Sequence, residues 1–363
     1  MAAEPSPLGE LARVFARLGS TSFGGPAAHI ALMEEEIVAR RGWLPRERFL
    51  DLLGAANLVP GPNSSELAMH VGWQRAGGAG LVVAGLAFIM PAALITAAVA
   101  WSYVRFGILP AVSPPLGGIR AALVAVILGA AWRLGRAAVR SRALLVEGLL
   151  VLIASLLGGN ELFLLLAAGA LGASWKAGIP GFVRPGTVRV LDPTLLGLTL
   201  YFLKIGSILY GSGYVLVAFL EGGLVDRLHW LTRQQLLDAV AAGQFTPGPV
   251  LSTATFVGYL LLGWPGAALA TIAIFLPSFI FVAATSPLVG RLRRTPWTAA
   301  FLDAVNMAAV ALILAVAIRL MPEALPGLRQ GAIAAAAFLV LARWPVNPAW
   351  IIGAGAAIGA LVL

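Results

Sequence analysis

Two short stretches set helix-breaking residues beside hydrogen-bond donors. AANLVPGPN at 55–63 holds Asn57, Pro60, Gly61, Pro62 and Asn63, followed by Ser64 and Ser65. AAGQFTPGPV at 241–250 holds Gln244, Thr246, Pro247, Gly248 and Pro249, followed by Ser252 and Thr253. Amide and hydroxyl hydrogens of these types donate to an anion. A helix starting after Pro62 or Pro249 would add free backbone N–H groups and the positive end of its dipole. Neutral donors and helix N-termini suit an oxyanion. A divalent metal would ask for clustered carboxylates or imidazoles, and His29, His70 and His229 are scattered. The chain has no cysteine, no Gly-x-Ser-x-Gly elbow and no His-Glu-x-x-His pair, so no enzyme, metal site or cofactor is expected.

Each of these stretches has a second break upstream. Phe23-Gly24-Gly25-Pro26 precedes the first, and Tyr210-Gly211-Ser212-Gly213 precedes the second. Arg17 and Lys204 each stand two residues before a Gly-Ser pair. A cation in an apolar segment is a candidate anion ligand. Arg17, near its segment's end, reads equally as a side chain snorkelling to the headgroups, whereas Lys204 lies deep in an apolar run. Glu34, Glu66 and Glu221 are the candidates for carrying a coupled proton, with Glu34 in MEEEIVARR also readable as a loop charge paired with Arg40 or Arg41. Asp51 and Asp238 are expected to cap the second segments of each half.

The elements that must position these residues are membrane helices. Of 363 residues, 60% are hydrophobic and 11% charged, against nearer half and a quarter in soluble domains. The mean hydropathy is +0.91. Apolar runs recur at 79–102, 118–132, 143–157, 160–175, 195–219, 266–288, 298–320, 328–342 and 346–363. They are continuous rather than alternating, which predicts helices and not barrel strands. Several reach the roughly 20 residues of a spanning helix. The net charge of +9 is assigned to loops that orient helices and meet lipid, so nucleic acid is not an expected partner.

The chain also repeats itself. Pro60-Gly61-Pro62 recurs 187 residues on as Pro247-Gly248-Pro249. At that offset RLGSTSFGGP (17–26) meets KIGSILYGSG (204–213), RGWLPRERFLD (41–51) meets LHWLTRQQLLD (228–238), and Glu34 meets Glu221. After a one-residue slip Pro91 meets Pro277, which with the scattered glycines reads as a kink or packing point. Two repeats follow, 1–185 and 190–363, with the Pro/Gly-rich stretch 176–187 between them. The dense basic loop of half one (Arg133, Arg136, Arg140, Arg142) faces Arg319 alone in half two, while Arg291, Arg293 and Arg294 face Arg105 alone. Because basic loops favour the cytoplasmic side, this exchange predicts an inverted-topology repeat of about 10–12 membrane segments. Lipid cannot satisfy broken backbone, so duplicated interrupted helices point to a central site between repeats, as in secondary transporters.

SFGGPAAHI (22–30), WLPRERFLD (43–51) and the repeated Pro-Gly-Pro resemble the chromate ion transporter family in its long, two-domain form. The resemblance covers essentially the whole chain. It implies a multi-pass carrier of the bacterial cytoplasmic membrane that exports chromate, confers chromate resistance and uses the proton-motive force. The family motifs fall on Phe23, Gly24, Gly25 and Pro26, on Pro60 to Asn63, and on Pro247 to Pro249; Tyr210 to Gly213 departs from the Phe-Gly-Gly-Pro pattern. The expected partners are chromate, with sulfate and protons as further candidates, membrane lipid, and a second copy of the chain. A carrier for sulfate or another anion, and a passive anion channel, stay open as alternatives.

Overall fold

The structure is a computed structural model that describes residues 7–23, 25–57, 59–106, 113–177, 192–210, 213–288, 296–344 and 346–363. Among the described residues its elements fall into two series of seven helices in the same order. The first is α1 (Pro7–Thr21), α2 (Pro26–Glu34, continued by a π-turn Glu35–Arg40), α3 (Arg46–Ala56), α4 (Ser64–Phe106), α5 (Ser113–Ala138), α6 (Arg142–Leu156) and α7 (Glu161–Ala177). The second is α8 (Leu195–Ile208), α9 (Val215–Leu220, with a π-turn Glu221–Val225), α10 (Arg233–Phe245), α11 (Thr253–Thr285), α12 (Pro296–Ala324), α13 (Leu328–Arg343) and α14 (Pro348–Val362). No strand occurs among the described residues.

Local chemistry sets several boundaries. Ser141 accepts from Leu144 N–H at the start of α6, and Thr194 from Gly197 N–H at the start of α8. Asn347 caps α14, with Pro348 at its first position. Thr232 and Gln235 cap α10 reciprocally, side chain to backbone N–H in both directions. This corrects the expectation for Asp238, which sits in mid-helix, as does Asp51 in α3, whose N-cap is Pro45.

α4 and α11 are helical hairpins. A straight helix of 43 residues would be about 65 Å long, twice the hydrocarbon thickness. The chain instead turns at Ala76–Gly77 and, in the repeat, at Leu262–Gly263, where both glycines take positive φ (58° and 62°). The legs then touch backbone to backbone: a Cβ on Gly72 would lie 2.2 Å from the Gly80 carbonyl oxygen, and one on Gly258 2.3 Å from that of Gly266. Ser64–Phe106, Ser113–Ala138, Val250–Thr285 and Ala300–Ala324 are long and apolar enough to cross a membrane, and in α4 it is the second leg that has the length.

Compact packing does not follow the sequence halves. One unit comprises 1–104, 194–213 and 242–294; the other comprises 105–193, 214–241 and 295–363. In the first, Leu11, Val14, Phe15 and Leu18 of α1 pack with Phe49, Leu52, Leu67 and Phe88. In the second, α12 packs against α5, α6 and α7, and α5 against α13 and α14. The second unit also buries charge. Arg120 grips Asp238 through two hydrogen bonds of 2.6 and 2.7 Å. Arg319 donates to Glu221 at 2.8 Å, and Arg227 to Glu161.

Candidate functional site: the Pro-Gly-Pro crossing

The four sequence breaks meet crosswise in the first unit. Gly61 N–H donates to the carbonyl of Leu209 (2.7 Å), where the first helix of the second repeat ends. Gly248 N–H donates to the carbonyl of Ser22 (2.9 Å), the equivalent residue of the first repeat. Each Pro-Gly-Pro is thus held by the other repeat, and Gly25 and Pro26 lie just beyond one contact and Tyr210 just beyond the other. Pro60, Gly61, Pro62, Pro247, Gly248 and Pro249 are all buried. The glycines have φ of 148° and 94°, and Asn63 has φ 56°, values that bend the chain sharply before α4 and α11 begin.

Two features fill this crossing unequally. Glu66, in the first turn of α4, is fully buried. A Cβ on Gly61 would lie 1.8 Å from Glu66 Oε1 and 2.7 Å from Ser278 Oγ, so carboxyl and hydroxyl both press on the glycine. Ser278 lies beside the carboxyl, yet no hydrogen bond of ordinary geometry reaches either carboxyl oxygen or the Ser278 hydroxyl. No cation pairs with Glu66 among the described residues. At the equivalent place beside Gly248 stand the Ala92 methyl and the Gly19 carbonyl, each 2.9 Å from where a Cβ would be. Pro91-Ala92 is the repeat of Pro277-Ser278, so the polar pocket belongs to one crossing only.

A hydrogen-bonded chain runs from the Gly248–Ser22 contact to the start of α4. His29 Nε2 lies 3.1 Å from the Ser22 carbonyl that also accepts from Gly248, and Nδ1 lies 3.2 Å from Ser64 Oγ at the start of α4. The carbonyl requires the proton on Nε2, which leaves Nδ1 of the neutral ring as acceptor for the Ser64 hydroxyl. Thr96 donates to Ser252 at 3.1 Å. Gln244 and Thr246 are buried on and beside the end of α10. Neither Ser278 nor His29 was singled out from sequence as a site residue. The only signal for Ser278 was its place after the aligned Pro277, and His29 read merely as an isolated histidine.

Other expected residues lie elsewhere. Phe23 and Asn57 are exposed. Lys204 departs from the expectation of a buried cation: the buried stripe of α8 is Leu198, Phe202, Ile205 and Gly206, and Lys204 is exposed roughly 140° round the helix from it. Its mate Arg17 pairs with Glu36 at 2.5 Å. Glu34 pairs with Arg46 at 2.8 Å rather than with Arg40 or Arg41, and Glu221 pairs with Arg319 in the second unit. Gly24, Gly211 and Ser212 lie outside the described residues. The crossing holds one buried carboxyl, Glu66, that pairs with no cation among the described residues.

Comparison with known proteins agrees with the repeat and with the membrane. The chromate transporter family model matches twice, at residues 9–173 and 196–360. A chromate transport protein of Cupriavidus metallidurans is 34% identical over 98% of this chain and 93% of its own. A probable chromate transport protein of Synechococcus elongatus is 33% identical over 84% of this chain and 82% of its own. A chromate transport protein of Pseudomonas aeruginosa is 30% identical over 94% of this chain and 89% of its own. No solved structure matches. With these relatives and its apolar helices, the protein is a multi-pass transporter of the bacterial cytoplasmic membrane, not an enzyme, and it belongs to the chromate transporter family.

Proposed function

We propose that this chain exports chromate, using the proton-motive force, from a site at the Pro-Gly-Pro crossing. The observation that carries this reading is Glu66: fully buried, pressed on Gly61 and without a cation, unlike Glu34 and Glu221. An isolated carboxylate in an apolar interior costs several kcal/mol, and binding a proton removes that cost. A protonated Glu66 donates to an oxyanion oxygen; an ionised one repels a dianion. Proton and anion therefore favour each other's binding, and by linkage each raises the other's affinity. A dianion leaving with one proton carries one net negative charge outward, which an inside-negative potential favours by about 2.3 kcal/mol per 100 mV, while the pH gradient opposes the departing proton, so the electrical component of the proton-motive force is what drives export.

The repeats 1–185 and 190–363 are proposed to lie inverted in the membrane. The exchanged basic loops and the reciprocal contacts of Gly61 and Gly248 support this reading. The donor set at the crossing suits any tetrahedral oxyanion, so sulfate is a competitor to be tested.

The test is radiolabelled chromate flux in proteoliposomes with the potential and pH gradient set independently, with sulfate added in one arm. Uphill chromate movement that responds to both gradients, and loses its pH dependence in Glu66→Gln, is the expected result. Flux that only equilibrates chromate makes the protein a channel or a uniporter. Sulfate flux without chromate flux moves the substrate but keeps the site.

A further inference from the structure

The second unit carries a groove that the transport reading does not use. Leu128, Ala131, Trp132, Gly135 and Arg136 of α5, with Val139 just beyond its end, line one side of a cavity of about 640 Å³, and Val310, Leu314 and Phe338 of α12 and α13 close it. The spacing 128, 131, 132, 135 puts a single stripe of α5 on the groove. The lining is apolar except at one end, where Arg136 stands. Arg133 and Arg142 are exposed nearby in sequence and have no carboxylate partner among the described residues, whereas Arg140 pairs with Asp303 at 2.8 Å. Trp132 is 58% exposed beside them, the kind of residue that anchors a helix at headgroup level.

The dimensions fit one membrane leaflet. From Arg136 to Leu128 is eight residues, about 12 Å along the helix. Half of the hydrocarbon core is about 15 Å. A chain entering at Arg136 would end near Leu128, at about the depth reached by the acyl tails of one leaflet. Apolar length, an aromatic at the boundary and unpaired arginines at one end are complementary to one ligand, a lipid with a negative headgroup.

We infer that this groove is a binding site for an anionic diacyl phospholipid, its acyl chain along Leu128, Leu314 and Phe338 and its phosphate on Arg136 and Arg133. The site is independent of the crossing and of what is transported. Zwitterionic lipid fills the groove with the same tails but gains less from the arginines.

The experiment uses the full chain, delipidated in detergent and titrated with dioleoyl phosphatidylglycerol or dioleoyl phosphatidylcholine, with bound lipid counted by native mass spectrometry. Phosphatidylglycerol is expected to be retained in preference. The double variant Arg133→Gln/Arg136→Gln, on an exposed surface where folding is least at risk, should weaken it roughly thirtyfold, the loss expected for two arginines that each contact an anionic surface. Leu314→Trp, which fills the groove and spares both charges, should also reduce retention. Equal retention of the two lipids, or full retention by the arginine variant, overturns the site. Retention unchanged in a folded Leu314→Trp protein overturns the groove in favour of diffuse surface attraction. A lipid-free dimer in which the groove is shielded overturns the lipid in favour of a second copy of the chain.

Discussion

Gly61 and Leu209 belong to different repeats, yet the N–H of one donates to the carbonyl of the other at 2.7 Å, and Gly248 and Ser22 repeat the bond at 2.9 Å. Such reciprocity is what a local two-fold relation between repeats produces. It also satisfies backbone that lipid could not. The two crossings share a backbone and differ in side chains, Glu66 and Ser278 beside one and Ala92 beside the other.

That difference separates two glycine substitutions. Gly61→Ala would drive a methyl into Glu66 and Ser278, and Gly248→Ala into Ala92 and the Gly19 carbonyl, each at a positive φ. Both should destabilise by about 1–3 kcal/mol from backbone strain alone. If Gly61 serves the carboxyl, only Gly61→Ala should also change the pH dependence of flux in the protein that remains folded. Thermal melts in detergent alongside flux at several pH values check this.

Arg120 and Asp238 form a buried pair, 12% and 1% exposed. Asp238→Ala leaves a guanidinium buried without its partner and is expected to cost about 3–5 kcal/mol. Arg120→Leu/Asp238→Leu should recover most of that loss. A double variant no more stable than the single one would show that the pair contributes more than the absence of an unpaired charge. Melting temperatures of the three proteins decide it.

Glu36 is a stability switch on the acid side. Burial pushes its carboxyl upward, but hydrogen bonds from Arg41 and Arg17, with their charges, outweigh it and hold the group below the ordinary carboxylate value. A depressed group stabilises the fold above its unfolded pKa and loses that contribution as pH falls through the folded one. Stability should therefore fall as the pH drops below the ordinary glutamate range, and Glu36→Gln should flatten the fall. Melts between neutral pH and pH 3 measure both.

Lys204→Ala should leave chromate flux close to normal, because the side chain is exposed on the face of α8 opposite its buried stripe. A large loss of anion affinity in this variant would place a cation in the site after all.

Much of the fold was legible along the chain. Continuous apolar runs predict helices because every backbone group must be satisfied within the segment. Proline and glycine announce breaks because their limits are local. The offset of 187 residues exposes the repeat, which appears among the described residues as two matching series of seven helices. The hairpin turns at Gly77 and Gly263 are not legible in the sequence, since isolated glycines are common in membrane helices and only the antiparallel contact of Gly72 with Gly80 reveals a turn.

What the sequence determined by itself is the class: a repeated, helical membrane protein whose helices break at Phe-Gly-Gly-Pro and at two Pro-Gly-Pro motifs. These features depend on residues close together in the chain. Only the tertiary structure decided which break holds which, that Glu66 lacks the cation Glu221 has in Arg319, and that Lys204 turns outward. Those outcomes join residues that lie far apart in sequence, as Gly61 and Leu209 do. No local preference of proline, glycine or glutamate encodes a partner at such a distance; packing of the helices chooses it.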